Sequence, residues 1–180
     1  MSAKNFEIVG LVVNYMDNNA KERLSDYISK FIKEKTLIVC IGTDKCIGDS
    51  LGPLVGTFLK ESCCPIPVIG TLESPAHAVN LEDVILDISF DYFDYFIIAI
   101  DACLGFDDTI GDIQVKLGPV HPGKGVGKIL PSIGDISIVG VVDSIDNPDS
   151  YMLKNIRLHF IWEMAKIIAE SIILSINKKA

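Results

Sequence analysis

Between Asn19 and Glu34, Leu24, Ile28 and Phe31 recur at spacings of four and three among lysines and aspartates, the period of an amphipathic helix. The pattern then changes. The run TLIVCIG, Thr36 to Gly42, is short, β-branched and closed by glycine, which predicts a buried strand. From Ser50 to Lys60, Leu51, Leu54, Val55 and Phe58 return to helical spacing, with Asp49 or Ser50 placed as N-cap and Pro53 early enough for the first turn. A second strand is expected from Ile66 to Thr71, a helix from Ala78 to Leu86, and a third strand from Tyr95 to Ile100, ending at Asp101. Two further strands, Thr109 to Leu117 and Ile136 to Val142, flank the glycine- and proline-rich connection GPVHPGKGVGKILPSIG, which has the composition of a lid. A long amphipathic helix from Pro148 to Asn177, with His159, Glu163, Lys166 and Glu170 in its polar stripe, closes the chain, and no internal repeat interrupts the series.

Strand and helix alternating in this way predict an α/β fold: a three-layer α/β/α sandwich with a mostly parallel sheet and right-handed crossovers. Ligand sites then belong at the carboxyl ends of the strands. With 180 residues, about half of them apolar, the chain has material for one core, so residues 1–180 are expected to form a single domain. A net charge of −8 without clustered Lys or Arg excludes nucleic-acid binding through phosphate neutralisation. The most apolar stretch, Phe160 to Ile176, is broken by Glu163, Lys166 and Glu170 and is not expected to enter a membrane. MSAKNFEIVG lacks the pattern of a secretory leader, and the five cysteines form no paired CxxC set, so a reducing, cytoplasmic setting is expected.

Three segments place ionisable groups directly after expected strands: IGTDKCIGDSLGP, GTLESPAHAVN and IAIDACLG. If the first strand lies between the other two, Asp49 and Asp101 occupy neighbouring connections, with His77 across the same cleft. Two close carboxylates resist simultaneous ionisation, so one keeps a proton while the other can activate water. The same pair with His77 could instead hold a divalent metal with an open coordination position. Against these uses stand structural ones: a helix cap for Asp49, a turn for Asp101, a helix start or packing role for His77. His121 belongs to the Gly/Pro loop and His159 to a polar stripe; Cys46 and Cys103 share the aspartates' loops but lack a Cys–His motif, and HPGKGVGK does not have Walker A spacing.

The segments IGTDKCIGDSLGPLVG, GTLESPAHAVNLE, IAIDACLG and GVGKILPSIGDISIVG, in this order between Leu37 and Val142, resemble the YyaC-type sporulation proteins, a family read as spore proteases. That family is similar in turn to the germination protease of spore-forming bacteria and, more distantly, to hydrogenase maturation endopeptidases. The resemblance implies a phosphorylase/hydrolase-like fold and a catalytic pair matching Asp49 and Asp101. It also implies an endopeptidase of the forespore or mother cell, acting on small acid-soluble spore proteins or another sporulation protein. Asp44, Glu73, His77 and Asn80, with the loop from Gly118 to Gly134, are the expected substrate-binding residues. No cofactor is required by this reading, a divalent metal at Asp49, Asp101 and His77 being the alternative. In the hydrogenase maturation enzymes a histidine joins the two acids at the precursor's nickel site, but no histidine stands at a matching place after Asp101, and His121 lies in a different motif. The chain is also shorter than the germination protease. A sporulation binding protein without turnover, and a metal-contacting maturation peptidase, are the two competing functions.

Overall fold

The aliphatic runs form the strands of one six-stranded sheet. In chain order they are β1 (Ile8–Asn14), β2 (Thr36–Cys40), β3 (Val68–Ile69), β4 (Phe96–Gly105), β5 (Asp112–Leu117) and β6 (Ile136–Ser144), and across the sheet they run β1-β5-β6-β4-β2-β3. This computed structural model describes residues 8–123, 130–146 and 156–179. β2 is parallel to β3 and β4, and β4 to β6, whereas β5 is antiparallel to β6 and β1, so five of the six strands point the same way. The helices are α1 (Ala20–Ile28), α2 (Leu51–Glu61), α3 (Leu81–Asp91) and α4 (Leu158–Asn177).

Every residue of β2 is buried, because the strand has helices on both faces; that is why its sequence reads as an unbroken apolar run. Ile38 and Cys40 face the core shared with α1, α2 and α4, where Leu24, Leu51, Val55, Ile161 and Ile168 lie, while Leu37, Val39 and Ile41 face Leu81 and Ile88 of α3. The result is the expected three-layer α/β/α sandwich with a mostly parallel sheet. β2 connects through α2 to β3 on one side, and β3 returns through α3 on the opposite face to β4 on the other side of β2. The carboxyl end of β2 therefore lies where connections leave in opposite directions, the place where such sheets open a crevice.

Several boundaries differ from the sequence expectation. β1 was not anticipated; it is an edge strand, exposed along most of its length and interrupted by Gly10, where a Cβ would meet the Tyr27 hydroxyl. α1 stops at Ile28 instead of reaching Glu34, since a turn follows in which Thr36 Oγ1 accepts from Lys33 N–H. α3 begins at Leu81, not Ala78, because residues 77–80 form a turn: Asn80 Oδ1 accepts the His77 N–H at 2.8 Å. β4 continues past Ile100 to Gly105, held by β6 after β2 has ended. The stretch expected to begin the last helix at Pro148 lies outside the described residues as far as 155, and α4 is helical from Leu158. Of the Gly118–Gly134 connection, residues 124–129 are likewise outside them. Its two ends leave the sheet at the amino end of β6, where Leu117 pairs with Ile136, and they pin Val120 and Ile133 together in the α3-side core. Among the described residues, no helix is long and apolar enough to cross a membrane.

Candidate functional site

β2 ends at Cys40, opposite Ile100 of β4, and Ile41 makes the last contact, donating its N–H to Ile100 O at 2.7 Å. The chain then turns sharply at Gly42, whose φ is +138°. A Cβ there would stand 2.0 Å from the Asp49 carbonyl oxygen, so only glycine brings the chain back close enough for Thr43 N–H to bond that carbonyl at 3.1 Å. Gly52, on the first turn of α2, packs its bare Cα against Ile41, where a Cβ would lie 2.1 Å from the carbonyl oxygen. These two contacts set Asp49 at the open end of β2. Asp49 lies in a short 3-10 turn, Gly48–Ser50, that leads into α2. It is not the helix cap expected from the sequence: neither turn nor helix has a side-chain cap, and Ser50 donates its hydroxyl back to Ile47 O.

Asp101 occupies the first position of β4 beyond the end of β2. An edge amide there would be unpaired, and Asp101 answers this locally: its Oδ1 accepts the Ala102 N–H at 2.8 Å. Burial raises the Asp101 carboxyl well above the usual carboxylate range, the charge of Asp49 raises it further, and the Ala102 amide opposes both. The Asp49 carboxyl is pushed up to about 6, chiefly by burial, against the lowering influence of the Thr43 amide and of His77. The electrostatic order Asp101, Asp49, His77 thus follows the spatial order β4, β2, β3. Of the two, Asp101 is the carboxyl that burial and its neighbour both push toward the protonated form, and Asp49 is the one whose ionised form has a backbone amide and His77 to favour it.

A family model described as "Protein of unknown function (DUF1256)" matches residues 12–171. The chain belongs to the DUF1256 family. It is also 40% identical over 174 residues, 94% of this chain and 85% of the relative, to "Uncharacterized protein YyaC" of Bacillus subtilis (strain 168). The similarity to YyaC expected from the separate motifs therefore extends over nearly the whole chain.

The remaining candidates of this DUF1256 chain divide into two groups. His77 is half-buried; its Nδ1 accepts from Val79 N–H at 3.3 Å, which leaves the Nε2 side to carry the proton in the neutral ring. Asn80 braces the same turn, donating its side-chain amide to Pro75 O at 3.0 Å as well as accepting from His77 N–H, so its side chain is committed to loop structure. Asp44 and Glu73 are exposed, on the loops after β2 and β3. His121 and His159 are exposed on other parts of the surface. Among the described residues, no group of three or more His, Cys, Asp and Glu side chains is arranged to hold a metal ion, and Asp49, Asp101 and His77 do not form one. Two surface grooves lie elsewhere: one beside Phe58 and Trp162 between α1, α2 and α4, the other at the amino ends of β2 and β4 beside Lys35 and Asp135.

One residue at this end of the sheet escaped the sequence reading. Asp143 follows the apolar run of β6 as Asp101 follows that of β4, and its Oδ1 accepts the next amide, Ser144 N–H, at the same 2.8 Å. The signal was present in the sequence, since VVDS repeats the form of AIDA.

Proposed function

We propose that this DUF1256 chain is a sporulation endopeptidase that hydrolyses peptide bonds of a spore protein with Asp49 and Asp101, in the cytoplasm of the forespore or mother cell. The observation that carries the reading is that two carboxyls within each other's field are raised unequally, Asp49 to about 6 and Asp101 well above the usual carboxylate range. Asp49, ionised at pH 7, is the base that takes a proton from water. Asp101 is the acid. With Oδ1 engaged by the Ala102 amide, Oδ2 is the oxygen left to carry the proton toward the carbonyl oxygen or the departing amine. His77 favours the ionised form of Asp49 and so keeps the two roles from exchanging. The substrate class, small acid-soluble spore proteins or another sporulation protein, comes from the resemblance to the germination protease. Asp44 and Glu73 stand on the rim loops where an extended chain would pass.

The test is direct. The protein is incubated with denatured spore-protein extract beside Asp49→Asn and Asp101→Asn variants. Fragments that form with the parent protein and fall by at least about a hundredfold with either variant support the reading. Equal cleavage by all three, or cleavage by none, overturns it.

A further inference from the structure

Helix α3 is apolar on two opposite sides. Toward the sheet it presents Leu81 and Ile88, both buried, with Val84 and Ile85 packed beside them. On the outside, Leu86 and Phe90 are 56% and 74% exposed, and Val79 and Phe93, just before and just after the helix, are exposed at 83% and 82%. At roughly 100° per residue, Leu86 and Phe90 fall within about 40° of each other and about 140–180° from Leu81 and Ile88. The outer row therefore has no place in this chain's own core. Beside it, Asp83, Asp87 and Asp91 repeat every fourth residue as a second exposed row, and none of the three is ion-paired among the described residues; Asp94, past the helix, bonds Lys35.

Two exposed phenylalanines with an exposed leucine and valine, all on α3 or within two residues of its ends, mark an interaction surface. The aspartate row decides what kind. A second copy of the same face would set aspartates against aspartates, and an anionic bilayer would be repelled by them. An amphipathic helix with lysine or arginine beside its apolar row matches both rows at once, burying its aliphatic side chains on Leu86, Phe90 and Phe93 while its cations meet Asp83, Asp87 and Asp91. We infer that the outer face of α3 docks a basic amphipathic helix of a partner protein. The inference is independent of the hydrolase reading, because no residue of either row belongs to the aspartate pair.

The probe is a synthetic amphipathic peptide of about 18 residues, leucine on one face and lysine on its flanks, labelled for fluorescence anisotropy. The expected result is binding that weakens between about 50 and 300 mM salt. It should fall about tenfold in the Leu86→Ser/Phe90→Ser protein and by a similar factor in Asp87→Lys/Asp91→Lys. A control reversing the exposed pair elsewhere, Asp107→Lys/Asp108→Lys, should leave it unchanged. Hydrogen exchange should slow along residues 83–93 on binding. All the substituted side chains are exposed, so circular dichroism should remain that of the parent. Equal binding by every variant, or equal binding of a peptide with glutamate in place of lysine, overturns the inference. So does sedimentation showing a dimer that Phe90→Ser dissolves, or phosphatidylglycerol vesicles that carry down the parent protein and not Phe90→Ser.

Discussion

The Asp101 carboxyl lies within the field of Asp49, although 52 positions separate them in the chain, because β4 runs on past the last residue of β2 just where Gly42 folds the β2 connection back. The two are unequal. Asp101 is raised by burial and by its neighbour together, whereas Asp49 has a backbone amide and His77 to offset its burial. This inequality makes Asp101 the harder of the two to ionise, and it makes the site a place of stored instability.

Asp101→Asn is expected to stabilise the protein, increasingly so as the pH rises. The folded chain keeps a proton on Asp101 that the unfolded chain releases near pH 4, so above that value the native state binds more protons and loses stability with rising pH. The amide oxygen of the substitution can still accept the Ala102 N–H, and the titration is gone. Urea unfolding at pH 8 should show a gain of about 1–2 kcal/mol, reduced from the full linkage value by the solvent that reaches this half-buried residue, and shrinking toward zero near pH 4. A gain independent of pH, or a loss at pH 8, would mean that Asp101 is ionised in the native state.

Removing His77 should move Asp49 upward. His77 favours the charged carboxylate, so His77→Ala leaves burial less opposed and the Asp49 carboxyl titrates at higher pH. Carbon-detected NMR of the aspartate side chains reads the shift directly. An unmoved or lower midpoint would mean that His77 does not face Asp49 in solution.

Much of this site could be read from the chain before its fold was known, and for identifiable reasons. β2 announces itself because a strand covered on both faces must be apolar throughout, and Asp101 because an acid directly after FIIAI has to sit at the margin of a core. Right-handed crossovers permit the order β4-β2-β3 without requiring it; the structure has that order, and it brings Asp49 between the other two groups. Edge features were harder. β1 buries little and carries Gly10 in mid-strand, so its pattern is faint, and the start of α3 depends on Asn80 bonding back to His77, a local event that displaces the helix by three residues from Ala78 to Leu81. The capping reading of Asp49 failed because the turn Gly48–Ser50 precedes α2 and takes Asp49 out of the cap position.

Gly42→Ala should cost far more than Gly118→Ala, although both glycines have φ in the left-handed half of the map, +138° and +120°. At Gly118 an added Cβ meets nothing within 4 Å, so only the backbone preference is lost, about 1 kcal/mol. At Gly42 it meets the Asp49 carbonyl at 2.0 Å, and a carbonyl fixed by Thr43 N–H cannot retreat. Thermal unfolding should place the Gly42 variant roughly 2–4 kcal/mol below the parent. Equal losses at the two positions would show that the return of the chain onto Asp49 is looser than these contacts require.

On the proposed hydrolysis, rate and pH are linked through Asp49. The base form is needed to activate water, and it is populated above about pH 6, so cleavage should rise as pH increases through that value and level off toward neutrality. The acid form of Asp101 persists to higher pH, so the decline on the alkaline side belongs to it. His77→Ala, by raising Asp49, should carry the rising limb to higher pH while leaving the plateau rate less affected, a response that simple loss of folded protein does not produce, since that lowers the rate without moving its midpoint. The profile is measured as kcat/KM on a single spore-protein substrate from about pH 4.5 to 9. A flat profile, or a rising limb that stays in place when His77 is removed, would take Asp49 out of the role of base.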